Sequence, residues 1–330
     1  MRCLHCYPDA GKAQVDELST SHAHHVIGIL DELDVQTIIF GGGEPSLRPD
    51  IVALAEDVLT RDIDLIMCTN ATRLSESFLD SLPRSDQFGL AVGLDGATAT
   101  TNDRFRGQAG AFDRTVTAIR QATAKGLHVM VDFTATRINA HEFAPLVALA
   151  ERIGVYQVNL KRFVPAGRGK ANLAELLLTP SDYRVLLHTW EDVRRSARIA
   201  VGAHEPLTNS VSMEPSASNG CLAGRFWVGL GPNGDIWPCP LLCTLASPIG
   251  NILRDPPWVW LSHTDMTCLH TRWGLPGRCG TCRYTLRCGG CRATAYAITG
   301  DLLADDPYCD MWAEPDMGST HRSPARSCAN

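Results

Sequence analysis

Short apolar runs alternate with segments of helical period through the first half of the chain. Val26, Ile27, Ile29 and Leu30 carry a predicted helix from an N-cap at Ser19 or Thr20 to about Leu33. A polar loop over 7–18 precedes it. Thr37-Ile38-Ile39-Phe40 has the composition of a short buried strand, and it stops at a run of three glycines. The pattern then predicts a helix over 51–59 and a strand over 64–67 with Cys68-Thr69-Asn70 as its exit loop. A strand over 90–94 follows, leaving Asp95-Gly96 at its end. Helix 111–124, strand 128–133, helix 141–152 and strand 155–163 complete the series. Five strands separated by helices call for parallel pairing through right-handed crossovers.

The pattern changes after residue 168. Gly169-Lys170-Ala171-Asn172 reads as a linker, a helix resumes near Ser181, and 203–220 is a connecting loop rich in Ser, Pro and Asn. A cysteine-rich unit occupies 221–310. The polar tail 311–330, with Cys328 in it, is expected to be disordered. The division expected is therefore 1–200, a linker at 201–220, 221–310, and the tail.

Composition narrows the class. A chain of 330 residues, 45% hydrophobic, can bury a large core and hold a barrel-sized domain plus a small one. No apolar run is long enough to span a bilayer, so no membrane partner is expected. Net charge is −6, from 36 acidic and 30 basic residues, which leaves no basic footprint for nucleic acid. Thirteen cysteines exceed ordinary usage without reaching the density of a disulfide scaffold. Met1 leads straight into a Cys-His-Cys segment with no secretory signal, so the expected compartment is the reducing cytoplasm.

Cys279, Cys282, Cys288 and Cys291 form C-x2-C-x5-C-x2-C, with Cys221 and Cys239 upstream and Cys309 downstream. Two-residue spacers let neighbouring thiolates reach one metal centre, and the distant cysteines close its coordination shell. Spacing alone leaves zinc and iron–sulfur equally open.

The N-terminus separates them. Cys3-x2-Cys6 followed by Tyr7, then Gly42-Gly43-Glu44-Pro45 after a strand, resembles the core of radical S-adenosylmethionine enzymes. Their cluster motif is C-x3-C-x2-C. The C-terminal cysteines resemble the SPASM extension of that superfamily, which carries auxiliary iron–sulfur clusters. Twelve residues separate Cys221 from Gly234, and Gly234-x4-Cys239 fits the pattern. Cys288-x2-Cys291 is one residue shorter than the usual form, as in enzymes of haem biosynthesis. The resemblance covers roughly residues 1–310. One position departs from it: the first cysteine of the triplet, and the first barrel strand, belong ahead of Met1. The expectation is a start assigned too late. The alternative is a degenerate, non-catalytic iron–sulfur or zinc protein.

The resemblance implies an α/β fold, a partial (β/α)6 TIM-like barrel lacking its first strand, with a small Cys-rich SPASM-like domain. Barrel sites lie at the C-terminal ends of strands, where Cys3, Cys6, Glu44, Asn70, Asp95, Thr134, Thr136 and Arg162 fall. The implied cofactors are one radical [4Fe-4S] cluster, one or two auxiliary clusters, and S-adenosylmethionine. Cys3 and Cys6 would be ligands of the radical cluster and Tyr7 its following aromatic. Gly42, Gly43 and Glu44 would hold the methionine amino group, Asn70 would support the cofactor, and Asp95 would stand on the ribose side. Asn70 reads equally as a turn residue bonding its own loop. The family often has Ser where Gly93 stands. Cys279, Cys282, Cys288 and Cys309 would hold one auxiliary cluster; Cys221, Cys239 and Cys291 would hold the other, with Cys243 a candidate fourth ligand.

The nearest resemblance is to enzymes that remodel tetrapyrrole side chains in haem and haem d1 pathways. Maturases of ribosomally made peptides, of the pyrroloquinoline quinone and mycofactocin type, stand second. Either needs a reductant such as flavodoxin or ferredoxin. Arg162 and Arg168 fit substrate carboxylates or structural salt bridges equally well. Cys68 reads as a small buried hydrophobe, His22, His24 and His25 as a solvated first turn, and Cys268 as extra to the pattern.

Overall fold

Six strands form one sheet in the order β1-β2-β3-β4-β5-β6: Thr37–Phe40, Asp64–Thr69, Phe88–Gly93, His128–Ala135, Gln157–Arg162 and Ala200–His204. They belong to a computed structural model that describes every residue except 12, 15, 213, 215–219, 273–274 and 310–330. The expected tail and Cys328 lie outside the described residues. β1, β2, β3 and β4 pair in parallel, with Thr37 beside Asp64, Leu65 beside Phe88 and Gly89 beside His128. The α/β alternation read from the pattern is the one observed. The sixth strand of the sheet within this chain is β6, a short Ala-Val-Gly-Ala-His stretch at the start of the expected linker, where no strand was expected.

The crossover helices are α1 (Thr20–Glu32), α2 (Ile51–Thr60), α3 (Glu76–Ser81), α4 (Ala99–Arg106), α5 (Ala111–Ala124) and α6 (Phe143–Arg152). Local chemistry starts and stops them. Ser19 Oγ accepts the His22 N–H at 3.2 Å, and Thr98 accepts that of Thr101 at 3.4 Å. α4 ends at Gly107 in the left-handed region (φ 64°). A Cβ there would lie 2.8 Å from the Arg2 carbonyl oxygen. Leu65, Leu90, Val129, Val131, Phe133, Phe105 and Phe143 fill the core beneath the sheet.

The chain divides into two compact units. One holds residues 1–4, 10–160 and 196–201; the other holds 5–9, 161–195 and 202–330. In the second, α7 (Arg168–Ala171), α8 (Leu173–Leu176) and α9 (Pro180–Ser196) come first. β7 (Gly229–Leu230), β8 (Asp235–Trp237) and β9 (Gly250–Asn251) then form a small antiparallel sheet. α10 (Pro257–Leu261), α11 (Thr264–Thr271), α12 (Gly277–Thr281) and α13 (Arg292–Thr299) follow. Val164, Ala166, Trp237, Leu242, Cys291 and Ala293 form a core, with Tyr7, Cys239 and Cys243 packed on it. Residues 5–9 are tied in by backbone: the Arg168 N–H donates to the Cys6 carbonyl at 2.9 Å, and the Thr244 hydroxyl to that of Tyr7 at 2.8 Å. Among the described residues no helix is long and apolar enough to cross a membrane.

Candidate active site and cysteine centres

β1 delivers the glycine turn to its C-terminal end. Gly42 takes φ 93°, which a side chain resists, and the space around it is open. Glu44 follows in extended backbone and caps the 3-10 turn that begins at Pro45. Its carboxylate is held by four donors. Oε1 accepts the Thr69 hydroxyl at 2.6 Å, the Ser46 hydroxyl at 2.7 Å and the Ser46 N–H at 3.3 Å; Oε2 accepts the Asn70 N–H at 2.8 Å. The end of β2 thus orients the side chain carried by the end of β1. Of the two readings for Asn70, the geometry carries the turn. Its Oδ1 accepts from the Thr72 N–H (3.0 Å) and hydroxyl (2.6 Å), closing its own turn, while its backbone holds Glu44. Glu44 and Asn70 line a cavity of about 520 Å³ with Met1, Leu47, Thr72, Arg73, Gln108 and Arg114.

Asp95 is fully buried. It accepts the Thr134 N–H at 2.7 Å and pairs with Arg106. Burial pushes its carboxyl up, against the pull of Arg106. Burial lowers the Arg106 guanidinium, but Asp95 and then Cys3 outweigh it and hold it above its ordinary value. Arg106 also reaches the Cys3 sulfur, at 4.0 Å. The Leu4 N–H donates to the Phe105 carbonyl at 3.0 Å, so the backbone beside Cys3 is fastened to the same end of α4. Gly93, where the family often has Ser, leaves room for this guanidinium.

In the second unit the cysteines occupy element ends. Cys239 and Cys243 flank one 3-10 turn, Cys279 and Cys282 lie in and after α12, and Cys291 caps α13. Burial, then Cys221 and Cys291 beside it, pushes the Cys239 thiol well up. Burial raises Cys243 to about 11 and Cys291 to about 11, and lifts Cys279 and Cys288 as well. Cys279 is among the neighbours that raise Cys288. Cys221 and Cys291 thus act on the Cys239 thiol, and Cys279 on that of Cys288. The Cys288 and Cys282 sulfurs accept the N–H groups of Gly290 (3.3 Å) and Tyr284 (3.4 Å). The Cys309 N–H donates to the Asp306 carbonyl at 3.0 Å. Amide N–H groups directed at the Cys288 and Cys282 sulfurs are the kind of partner that sulfurs ligating a metal cluster take. Among the described residues, no three Cys, His, Asp or Glu side chains close into a coordination shell.

Two aspartates that fasten the cysteine segments were not singled out in the sequence. Asp305 accepts the N–H groups of Cys279 (2.7 Å) and Arg278 (3.1 Å); Asp306 accepts that of Cys291 at 2.7 Å. Their place beside Cys309 in Ala-Asp-Asp-Pro-Tyr-Cys was the available hint. Of the two readings for Arg162 the structural one holds. It is 6% exposed and pairs with Asp306 (2.6 and 2.8 Å) and Glu205 (2.5 and 2.6 Å). Arg168 pairs with Asp9 at 2.9 Å. His24 bonds Asp57 at 2.6 Å, Cys68 is half-buried on β2, and Cys268 lies in α11.

A model of the Radical SAM superfamily matches residues 1–148. The chain is 30% identical over 329 residues to the AdoMet-dependent heme synthase of Methanosarcina barkeri, covering 94% of this chain and 92% of that one. It is 31% identical over 317 residues to the mycofactocin maturase MftC of Mycobacterium tuberculosis, covering 94% and 79%. Its fold is similar to Streptococcus suis SuiB bound to S-adenosylmethionine, with TM-score 0.76, 18% identity, and 94% and 74% covered.

Proposed function

The chain belongs to the radical SAM superfamily, and we propose that this enzyme abstracts hydrogen from a tetrapyrrole side chain of the haem pathways, leading to its modification or oxidative decarboxylation. The similarity to a heme synthase along nearly the full length of both chains carries this reading. A reduced [4Fe-4S] cluster supplies an electron and S-adenosylmethionine the 5′-deoxyadenosyl radical when both are bound. Cys3 and Cys6 serve as cluster ligands, with Arg106 offering positive charge to the Cys3 thiolate. Glu44, held by Thr69, Ser46 and Asn70, presents a fixed carboxylate to the methionine ammonium. Gly42 and Gly43 let that ligand approach the backbone. Tyr7 packs in the core that also holds Cys239 and Cys243. Asp95 acts by orienting Arg106. Cys221, Cys239 and Cys291, with Cys243 as a fourth ligand, hold one auxiliary cluster. Cys279, Cys282, Cys288 and Cys309 hold the other. A flavodoxin or ferredoxin serves as reductant.

A second reading, maturation of a ribosomally made peptide, is favoured by the 31% identity to a mycofactocin maturase. One experiment separates them. Anaerobically reconstituted protein is given dithionite, S-adenosylmethionine and either a propionate-bearing tetrapyrrole or a precursor peptide encoded beside its gene. Release of carbon dioxide and 5′-deoxyadenosine with the tetrapyrrole supports the first reading. A modified peptide supports the second, and neither product removes both.

A further inference from the structure

Two arginines of the cysteine unit are buried without a counter-ion. Arg272 is 4% exposed and Arg292 2%. Arg272 donates to the carbonyls of Leu286 (2.8 Å) and Cys221. Arg292 donates to those of Gly290 (3.3 Å), Ala304 (2.7 Å) and Leu302 (3.4 Å). Among the described residues neither has a carboxylate at ion-pair distance. Dipoles satisfy their N–H groups but leave two net charges in a desolvated place, which is costly unless a negative charge stands nearby. The groups able to carry it are sulfurs. Arg292 reaches the Cys279 sulfur at 3.9 Å, and both guanidinium groups line a narrow cavity with Cys221 and Gly289.

The spacer of the Cys288-Gly289-Gly290-Cys291 segment is shaped to these two side chains. Both glycines take the left-handed conformation, φ 70° and 60°. A Cβ on Gly289 would lie 2.8 Å from Arg272 Nε, and one on Gly290 would collide with the Arg292 guanidinium. Each arginine therefore passes over one glycine, between the two cysteines that flank the pair.

We propose that Arg272 and Arg292 are the charge-balancing residues of the auxiliary centres, compensating the anionic thiolate-bound clusters and stabilising their reduced state. The proposal rests on the auxiliary-cluster reading above. Reduction adds one electron to a centre already negative. A fixed cation beside it favours that step and raises the reduction potential. Without metal the same cations are uncompensated. The arginines thus stabilise the loaded protein and destabilise the metal-free one.

That opposition of sign is the test. Arg272→Met, Arg292→Met and the corresponding Lys variants are made in the full chain and reconstituted anaerobically with iron and sulfide. The auxiliary potentials are followed by electron paramagnetic resonance titration, iron loss by release to a chelator, and the metal-free proteins by urea unfolding. The Met variants should show more negative potentials and weaker iron retention by about 10–100-fold. Their metal-free urea midpoints should equal or exceed the unsubstituted chain's, and the Lys variants should keep potentials near its value. Unchanged potentials in both Met variants would overturn the proposal. So would metal-free Met variants that lose as much stability as the loaded ones, since that outcome marks a packing role. An unsubstituted chain that takes up neither iron nor sulfide removes the underlying reading instead.

Discussion

The guanidinium of Arg106 crosses Gly93 so closely that no Cβ fits between them. β3 therefore ends without a side chain, and Arg106 passes over it to pair with Asp95 and reach Cys3. Gly93→Ala should push the guanidinium off this path. Overpacking and disturbance of a buried ion pair should cost about 1–3 kcal/mol. Urea unfolding checks this; an unchanged midpoint would show that α4 yields at no cost.

Glu44 should matter more for binding than for folding. Glu44→Ala removes one carboxylate from four donors, and Glu44 and the donor residue Asn70 line a cavity of about 520 Å³ into which water can enter in its place. A charge-assisted bond to a ligand ammonium contributes about 1.5–3 kcal/mol. S-adenosylmethionine should therefore bind roughly 10–100-fold more weakly, with the auxiliary clusters retained. Anaerobic equilibrium dialysis with iron analysis of the same sample tests both halves. Unchanged affinity would place the methionine group elsewhere.

Arg162→Met should be severely destabilising, by about 3–5 kcal/mol, because Glu205 and Asp306 are left as unpaired buried charges. A triple variant, Arg162→Met with Glu205→Gln and Asp306→Asn, should recover part of that loss, since no charge then remains. A single variant that unfolds normally but raises KM would return Arg162 to a substrate-binding role.

Acid should erase the contribution of Glu191. Burial would raise its carboxyl, but hydrogen bonds and charge from Arg194 and Arg195 hold it below its ordinary value. A depressed folded-state value gives stability that is complete above the unfolded carboxyl's value of about 4.3 and is lost as pH falls through the lower folded value. Glu191→Gln should thus be less stable than the unsubstituted chain at neutral pH and converge with it in acid. A gap that stays constant with pH would assign the effect to packing.

Purified anaerobically, the protein should contain iron and acid-labile sulfide rather than zinc. Chelation should remove the metal and lower the unfolding midpoint, since cluster binding adds to folding free energy. Stoichiometric zinc without sulfide in elemental analysis would contradict the iron–sulfur assignment.

Much of this was already present in one dimension. Strand and helix alternation through β5 follows from local apolar periodicity, which tertiary packing reinforced. The pairing of a Gly-Gly-Glu turn with Cys3-x2-Cys6, and of Cys279 through Cys309, is a matter of spacing, which the chain carries without being folded. What folding decided is the state of charged groups, because their partners are remote. Arg162 is as consistent with a substrate as with a salt bridge until Glu205 and Asp306, 43 and 144 positions away, close on it inside the core. Asp95 reads from sequence as a ribose-side residue at a strand end, and only the fold shows it fully buried against Arg106. β6 forms where composition reads as a connector, since an edge place in a sheet supplies hydrogen bonds that its own sequence does not announce. The double glycine between Cys288 and Cys291 is a spacer in sequence. Only the folded chain shows that two buried cations pass over it, for burial and ion pairing are properties of neighbours in space.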